Sequence, residues 1–358
     1  MEEIRILAIN PGSTSTKIAV FHNEDPIFVK NIKHSNEDLA KYENVVDQLS
    51  FRKQLIIDEL NEAEISDDHV KAVVGRGGLV KPIQSGVYEV NEAMIADLKN
   101  PPMGEHASNL GGLIAQDIAS SLPEAKAYIT DPVVVDELDE VARISGHPNF
   151  QRKSIFHALN QKAVARQHAR QILKKYEDLN LIVAHLGGGI TVGAHKRGWV
   201  VDVNQGLDGE GPFSPERSGT LPVGDLVKAC FSGDYTEKEI KKMITGKGGL
   251  VAYLDTNNAY EVEQRVKAGD EYAKLVYTAM AYQVSKSIGA MAAVLKGDVD
   301  GILITGGIAH DKWFTKQIIE HVELLAPVFI YPGEDEMRAL ALNALRVLKG
   351  EITPKIYK

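Results

Sequence analysis

Apolar and polar positions alternate most clearly at the start of the chain. Ile4 to Ile9 is an apolar run, Asn10-Pro11-Gly12-Ser13-Thr14-Ser15-Thr16 is polar, and Ile18 to Phe21 is apolar again. β-Branched and aromatic residues bounded by turn formers predict a strand, a loop and a second strand. His22 to Asp25 turns the chain into a further extended run, Pro26 to Ile32. Residues 36–65 predict a helical stretch, because Tyr42, Val45, Val46, Leu49, Leu55, Ile56 and Leu60 recur at helical intervals. Beyond it, residues 70–74, 127–131, 299–305 and 328–331 predict buried strands. Helices are predicted over 108–122, over 154–176 opening at Ser154, over 270–296, 312–325 and 335–348, with shorter pieces in 222–255. Strands alternating with helices make an α/β chain.

The first hairpin carries candidate chemistry. Pro11 lacks an N–H and Gly12 can adopt positive φ, so a sharp turn is expected. Ser13, Ser15 and Lys17 then set hydroxyls and an ammonium beside unpaired backbone N–H groups, a nest for phosphate oxygens. An ordinary polar hairpin turn is the plainer alternative. A second copy favours phosphate. Residues 181–195 read LIVAHLGGGITVGAH, with Gly12 falling on Gly187 and Thr16 on Thr191 when the two are overlaid. Repetition at half-chain spacing predicts duplicated domains with a cleft between them, one over 1–150 and the other over 151–334.

Two common nucleotide loops are excluded. A dinucleotide fingerprint counted from Gly187 needs a glycine at Val192 and a following helix. A Walker loop at Gly246-Lys247 needs glycine at Lys241 and Ser or Thr at Gly248.

Strand ends supply the other candidates. Arg76 stands among Gly75, Gly77 and Gly78 just after a strand, which suits an anion-facing loop or a solvated turn. Asp131 closes its strand ahead of Pro132, as a metal ligand or as a turn residue. Gly306-Gly307 ends a late strand, allowing close approach to a flat ring or phosphate, or a tight strand-to-helix turn. Residues 207–220 hold three acidic groups, three glycines and two prolines without periodicity. Such a loop is usually functional, and Arg217 is its only cation. Residues 145–153 look like the crossing between halves. Glu334, Asp335 and Glu336 crowd the start of the last helix, as caps or with one reaching a metal.

Composition narrows the partners. The 358 residues hold 44% apolar and 25% charged side chains, ordinary for two globular cores. A net charge of −9 without a basic stripe argues against nucleic acid, and no apolar stretch approaches membrane-spanning length. The single cysteine, Cys230, excludes an internal disulfide and is expected to be a buried structural thiol. The opening residues predict a strand and not a cleavable leader, so a cytoplasmic protein is expected.

Together these features resemble the superfamily of sugar kinases, heat-shock chaperones and actin. Within it the chain is similar to the acetate/butyrate kinase family from Ile4 to about Leu348. INPGSTSTK at 9–17 resembles the first family signature, HLGGG at 185–189 the second, PERSGTLP at 215–222 the arginine loop and ITGGI at 304–308 the adenosine-side turn. GRGG at 75–78, FHALNQ at 156–161 and Gly188 in place of the acetate kinases' Asn resemble the butyrate branch.

The resemblance implies two actin-like (ribonuclease-H-like) domains with a nucleotide cleft between them, the first taking back a returning helix at 335–350, and reversible phosphoryl transfer between ATP and a short-chain carboxylate, yielding acyl phosphate and ADP. It implies Asn10, Gly12, Ser13, Ser15 and Lys17 as the first phosphate loop, and His185 with Gly187, Gly188 and Gly189 at the β- and γ-phosphates. Arg217 is implied at the moving phosphoryl group, Asp131 and Glu336 at Mg²⁺, and Gly306-Gly307 at the adenosine. His157 retains the first His of the family's His-Gly-Thr-Ser-His segment, and Gln161 stands at the second. Val73 occupies the position of the acetate kinases' substrate-facing Arg, and Arg76 that of the following His, so Arg76 and Arg217 are the candidate carboxylate contacts. A homodimer or higher homo-oligomer is implied. The alternatives are an acetate or propionate kinase, a superfamily phosphatase or ATPase, and a non-catalytic nucleotide sensor.

Overall fold

The computed structural model describes residues 4–65 and 69–358, and these fall into two compact units. The first takes the chain to Val135 together with Asp335–Lys358, and the second is Asp136–Glu334.

In the first unit, β1 (Arg5–Pro11), β2 (Ser15–His22) and β3 (Asp25–Lys33) form an antiparallel meander. After α1 (Asn36–Leu39) and α2 (Leu49–Glu62), β4 (Val70–Arg76) lies parallel to β1. Then come β5 (Val87–Glu89), α3 (Glu92–Lys99), α4 (Asn109–Ala119) and β6 (Lys126–Thr130), giving sheet order β3-β2-β1-β4-β6-β5. Central β1 is buried throughout Ile6 to Ile9, whereas edge strand β3 is mostly exposed and keeps Ile32 inward. Leu7, Ile9, Ile18 and Val20 share a core with Leu110, Leu113 and Ile114 of α4. Small residues let that helix approach: a Cβ on Gly75 would stand 2.1 Å from the Gly111 carbonyl oxygen, and one on Gly111 2.3 Å from that of Arg76.

The second unit opens with α5 (Glu140–Arg143) and α6 (Ala158–Gln171). The meander β7 (Asn180–Leu186), β8 (Ile190–Lys196) and β9 (Trp199–Val203) follows. Helices α7 (Val223–Phe231), α8 (Glu237–Ile244), α9 (Gly249–Leu254), α10 (Ala259–Lys267) and α11 (Glu271–Val294) lead to β10 (Gly301–Gly306), α12 (Lys312–Val322) and β11 (Val328–Pro332). The sheet order is β11-β10-β7-β8-β9. Strand β7 divides its residues by parity. Ile182, Ala184 and Leu186 pack with Tyr277, Met280 and Val284 of α11, while Leu181 and Val183 pack with Val164 and Ala165 of α6. The last helix, α13 (Glu336–Leu348), belongs to the first unit and packs on β1 and β4.

The duplication is visible in strand order. Reading β3-β2-β1-β4-β6 beside β9-β8-β7-β10-β11, each unit has an antiparallel meander whose first strand continues into two parallel strands.

Four expectations are corrected. The helical stretch over 36–65 is interrupted, because Asn44 and Asp47 cap one another and restart the chain as a 3₁₀ turn, Val45–Gln48, that runs into α2. The helix expected from Ser154 begins at Ala158; the Ile155 carbonyl accepts instead from the N–H of Gly206 at 2.8 Å. Cys230 is exposed, since α7 buries none of its residues. The first hairpin turns without positive φ at Gly12: pairing continues to Pro11 opposite Thr16, and the Gly12 N–H donates to the Ser15 carbonyl at 2.7 Å.

Candidate active site

Because β1 and β2 pair up to Pro11–Thr16, the polar loop is shorter than the sequence suggests, and its tip is Ser13 and Thr14, both exposed. Lys17 is also exposed, whereas Thr16 is fully buried. The second turn is one residue tighter. Leu186 pairs with Ile190, His185 pairs with Thr191, and the Gly187 N–H donates to the Gly189 carbonyl at 3.1 Å. Thr191 is therefore opposite His185, whereas Thr16 is opposite Pro11.

Arg52, which the sequence reading passed over, organises the first loop. It is 1% exposed, and its Nη1 donates to the carbonyls of Gly12 (2.7 Å) and Ser15 (3.1 Å) and to Thr16 Oγ1 (3.1 Å). Its Nη2 donates to the Ser13 carbonyl at 3.2 Å, and Gln48 Oε1 accepts from Nε and Nη2. Burial pushes its guanidinium down to about 10, leaving it charged at neutral pH.

At the C-terminal ends of β1, β4 and β6 stand Asn10, Arg76 and Asp131, where α/β sheets present ligand-binding groups. Asn10 donates to Glu336 Oε2 at 2.5 Å, and Arg76 Nη1 lies 3.2 Å from both Glu336 carboxylate oxygens and donates to Asn10 Oδ1 at 3.3 Å. Glu336 is thus the acidic residue of the 334–336 run that turns to this cluster; Asp335 caps α13 through the Arg338 N–H. Asp131 is 1% exposed, sits at φ 38°, and accepts from the Gly86 N–H at 2.8 Å. A non-glycine residue held in that sparse region at a strand end is a feature of functional sites.

In the second unit, Arg217 lies against the glycine turn. A Cβ on Gly189 would stand 1.8 Å from Arg217 Nη1, so the space of a side chain is filled by the guanidinium. Arg217 Nη1 donates to the Gly206 carbonyl at 2.5 Å, and desolvation lowers its pKa, partly offset by Glu216. The arginine loop is fixed to the turn by Ser214 Oγ, which donates to the Gly188 carbonyl at 2.7 Å.

Beside the turn, the rings of His157 and His185 stack at 3.9 Å and 16°. His185 Nδ1 donates to Asn160 Oδ1 at 2.9 Å, and its Nε2 is 3.7 Å from Glu334. His157 Nδ1 shares a 2.8 Å hydrogen bond with the Thr191 hydroxyl, which also accepts from Gln161 Nε2 at 2.9 Å. Gln161 continues through Oε1 to buried His195, and His195 Nδ1 to the Tyr176 hydroxyl at 2.7 Å. The residue at the family's second His position therefore supports the first His through Thr191. Asn160 and Thr191 were legible only as helix and strand residues.

Gly306 and Gly307 differ. Gly306 has φ 94°, and a Cβ there would stand 2.3 Å from the Leu186 carbonyl oxygen; Gly307 has open space. The close approach at Gly306 serves the strand-to-turn packing, leaving Gly307 as the accessible one.

Among the described residues no group of three or more His, Cys, Asp or Glu side chains forms a metal cage. Asp131 and Glu336 are hard oxygen donors suited to Mg²⁺, which commonly takes one or two carboxylates beside phosphate and water.

Residues 148–329 match the model of the Acetokinase family. The chain is 58% identical over 356 residues to Butyrate kinase 2 of Clostridium acetobutylicum, covering 99% of this chain and all of that one. Among solved structures it is similar to acetate kinase from Porphyromonas gingivalis (TM-score 0.78, 20% identity, 96% of this chain and 100% of that one). It is also similar to a propionate kinase from Francisella tularensis (TM-score 0.70, 21% identity, 95% and 98%). These two share its actin-like α/β fold. With a match over half the chain and a close relative along nearly all of it, the chain belongs to the acetokinase family.

Proposed function

We propose that this enzyme transfers the γ-phosphoryl group of ATP reversibly to a short aliphatic carboxylate, butyrate or a branched analogue, forming acyl phosphate and ADP. What carries the reading is the Arg217 guanidinium seated on the Gly187–Gly189 turn, in a chain 58% identical to a relative named for butyrate phosphorylation.

The carboxylate is ionised at neutral pH and is its own nucleophile, so no general base is needed. Its oxygen attacks the γ-phosphorus in line, the bond to the β,γ-bridging oxygen breaks, and ADP leaves with the electron pair. Catalysis then rests on positioning and on neutralising charge at the moving group. Arg217 supplies a fork of donors there, and the stacked His157 and His185 rings stand beside the same turn. Asn10, Ser13, Ser15 and Lys17 hold phosphate oxygens, as do the Gly188 and Gly189 N–H groups, whereas the Gly12 and Gly187 N–H groups close their own turns. Gly307 faces the adenosine, and Arg76 contacts the carboxylate. Asp131 and Glu336 would hold Mg²⁺, which supplies charge neutralisation at the phosphates when bound. The enzyme works in the cytoplasm, and among the described residues no helix is long and apolar enough to cross a membrane.

Selectivity among acids is expected to be soft, since one methylene is worth about 1–3 kcal/mol in an apolar pocket. The test runs the reaction backwards: Mg-ADP with acetyl, propionyl, butyryl or isobutyryl phosphate, with ATP read by luciferase. Fastest ATP formation from butyryl or isobutyryl phosphate is expected. Preference for acetyl phosphate moves the assignment to acetate kinase, and no ATP from any of them rejects it.

A further inference from the structure

The Arg52 guanidinium is the largest side chain buried below 2% exposure, yet it faces no carboxylate within ion-pair distance among the described residues. Its donors go instead to one hairpin turn: the carbonyls of Gly12, Ser13 and Ser15, and the hydroxyl of Thr16. An unpaired buried cation is costly, and a fold retains one where its field or its geometry is needed. We propose that Arg52 is a positioning residue for nucleotide phosphate, drawing the carbonyls of Gly12, Ser13 and Ser15 inward so that the opposite face of the loop, with the Ser13 and Thr14 N–H groups and the Ser13 and Ser15 hydroxyls, is turned to the anion.

A peptide unit cannot aim its C=O and its N–H the same way, so fixing the carbonyls fixes the donors. The guanidinium also lends positive charge from behind, at a site phosphate itself never touches. Two side chains hold it, and a third braces them. Gln48 Oε1 accepts from two of its nitrogens, at 3.0 and 2.8 Å. Thr16 Oγ1 lies between it and His34 Nε2, 2.8 Å away. His34 in turn donates its backbone N–H to the Thr14 carbonyl at 2.9 Å, so the same network reaches the remaining carbonyl of the loop. Ser13 and Thr14 are left exposed at the tip.

The inference rests on the kinase reading above, and the experiment separates the two. Acyl hydroxamate formation by the parent enzyme is measured first; an inactive parent overturns both. With an active parent, Arg52→Met and Arg52→Lys are compared for KM of ATP, KM of butyrate, kcat and melting temperature. Arg52→Met is expected to raise the KM of ATP about tenfold or more while the KM of butyrate stays within about twofold. Arg52→Lys keeps the charge without the fork and should fall between parent and Arg52→Met. An unchanged KM for ATP in a folded variant overturns the proposal. So does a parallel rise of both KM values with a lowered melting temperature, which is what loss of packing alone would give. If neither variant folds, Gln48→Met decides by the same split, because it releases the guanidinium without removing it.

Discussion

The Arg217 guanidinium occupies the volume that a side chain at position 189 would need, with Nη1 1.8 Å from an ideal Cβ there. Both groups are parts of one device: the turn must be bare so that the arginine can lie on it. Because the obstacle is the end of a flexible side chain, Gly189→Ala should fold normally and push the guanidinium aside. Its kcat is expected to fall about 10²-fold, the usual cost of a displaced transition-state donor, with nucleotide binding retained. Arg217→Ala should do the same or worse. Steady-state kinetics beside equilibrium ADP binding checks this; full activity in Gly189→Ala would remove the contact from the mechanism.

The two glycines after β10 should separate by experiment. Gly306→Ala meets the Leu186 backbone at a positive φ and is expected to cost about 2–4 kcal/mol of stability. Gly307→Ala meets nothing within 4 Å and should leave the melting temperature alone while raising the KM of ATP. Equal melting temperatures for both variants would contradict the packing role of Gly306.

Glu336 bonds to Asn10 and forms an ion pair with Arg76. Glu336→Gln keeps the shape and removes the charge. The Mg²⁺ concentration for half-maximal activity is expected to rise about tenfold or more, in line with the loss of a metal-supporting carboxylate. A magnesium titration of variant and parent reads this, and superimposable curves would take Glu336 out of the metal site.

His34 gives the loop a pH dependence. Burial first, and the Arg52 guanidinium second, lower its pKa from 6.5 to about 4. Above pH 6.5 the ring is neutral in both folded and unfolded chains, so it contributes no pH dependence. As pH falls from 6.5 towards 4 the unfolded chain takes up the proton first, and folded stability drops by roughly 3 kcal/mol before levelling. Comparing denaturation midpoints at pH 7 and pH 4.5 should show a smaller loss in His34→Gln than in the parent. An identical loss would place the titration elsewhere.

What could be read from residues alone was whatever repeats along the chain. Apolar runs bounded by turn formers marked β1, β2, β7 and β8, and two copies of one loop showed the duplication that the strand order repeats. The family resemblance rested on short contiguous signatures, and the arginine loop and the glycine turn indeed lie together in the second unit. What stayed hidden depends on contacts distant in sequence. Arg52 is one cation in a helix with an otherwise ordinary polar face, and only the fold reveals that it faces carbonyls about forty positions earlier. Gln161 looked like the loss of a histidine, because its bond to Thr191 crosses 30 positions. Ser154 carried the composition of a helix start, but the Gly206 N–H claims the carbonyl next to it. Cys230 looked like a core residue by type, yet α7 has no buried face to put it on.

The central claim is direct transfer from ATP to a carboxylate. Its most direct test is incubation with Mg-ATP, butyrate and hydroxylamine, counting butyryl hydroxamate against ADP. One hydroxamate for each ADP, and almost no ADP when the acid is left out, is the predicted result. ADP and inorganic phosphate released at the same rate with or without butyrate would contradict it.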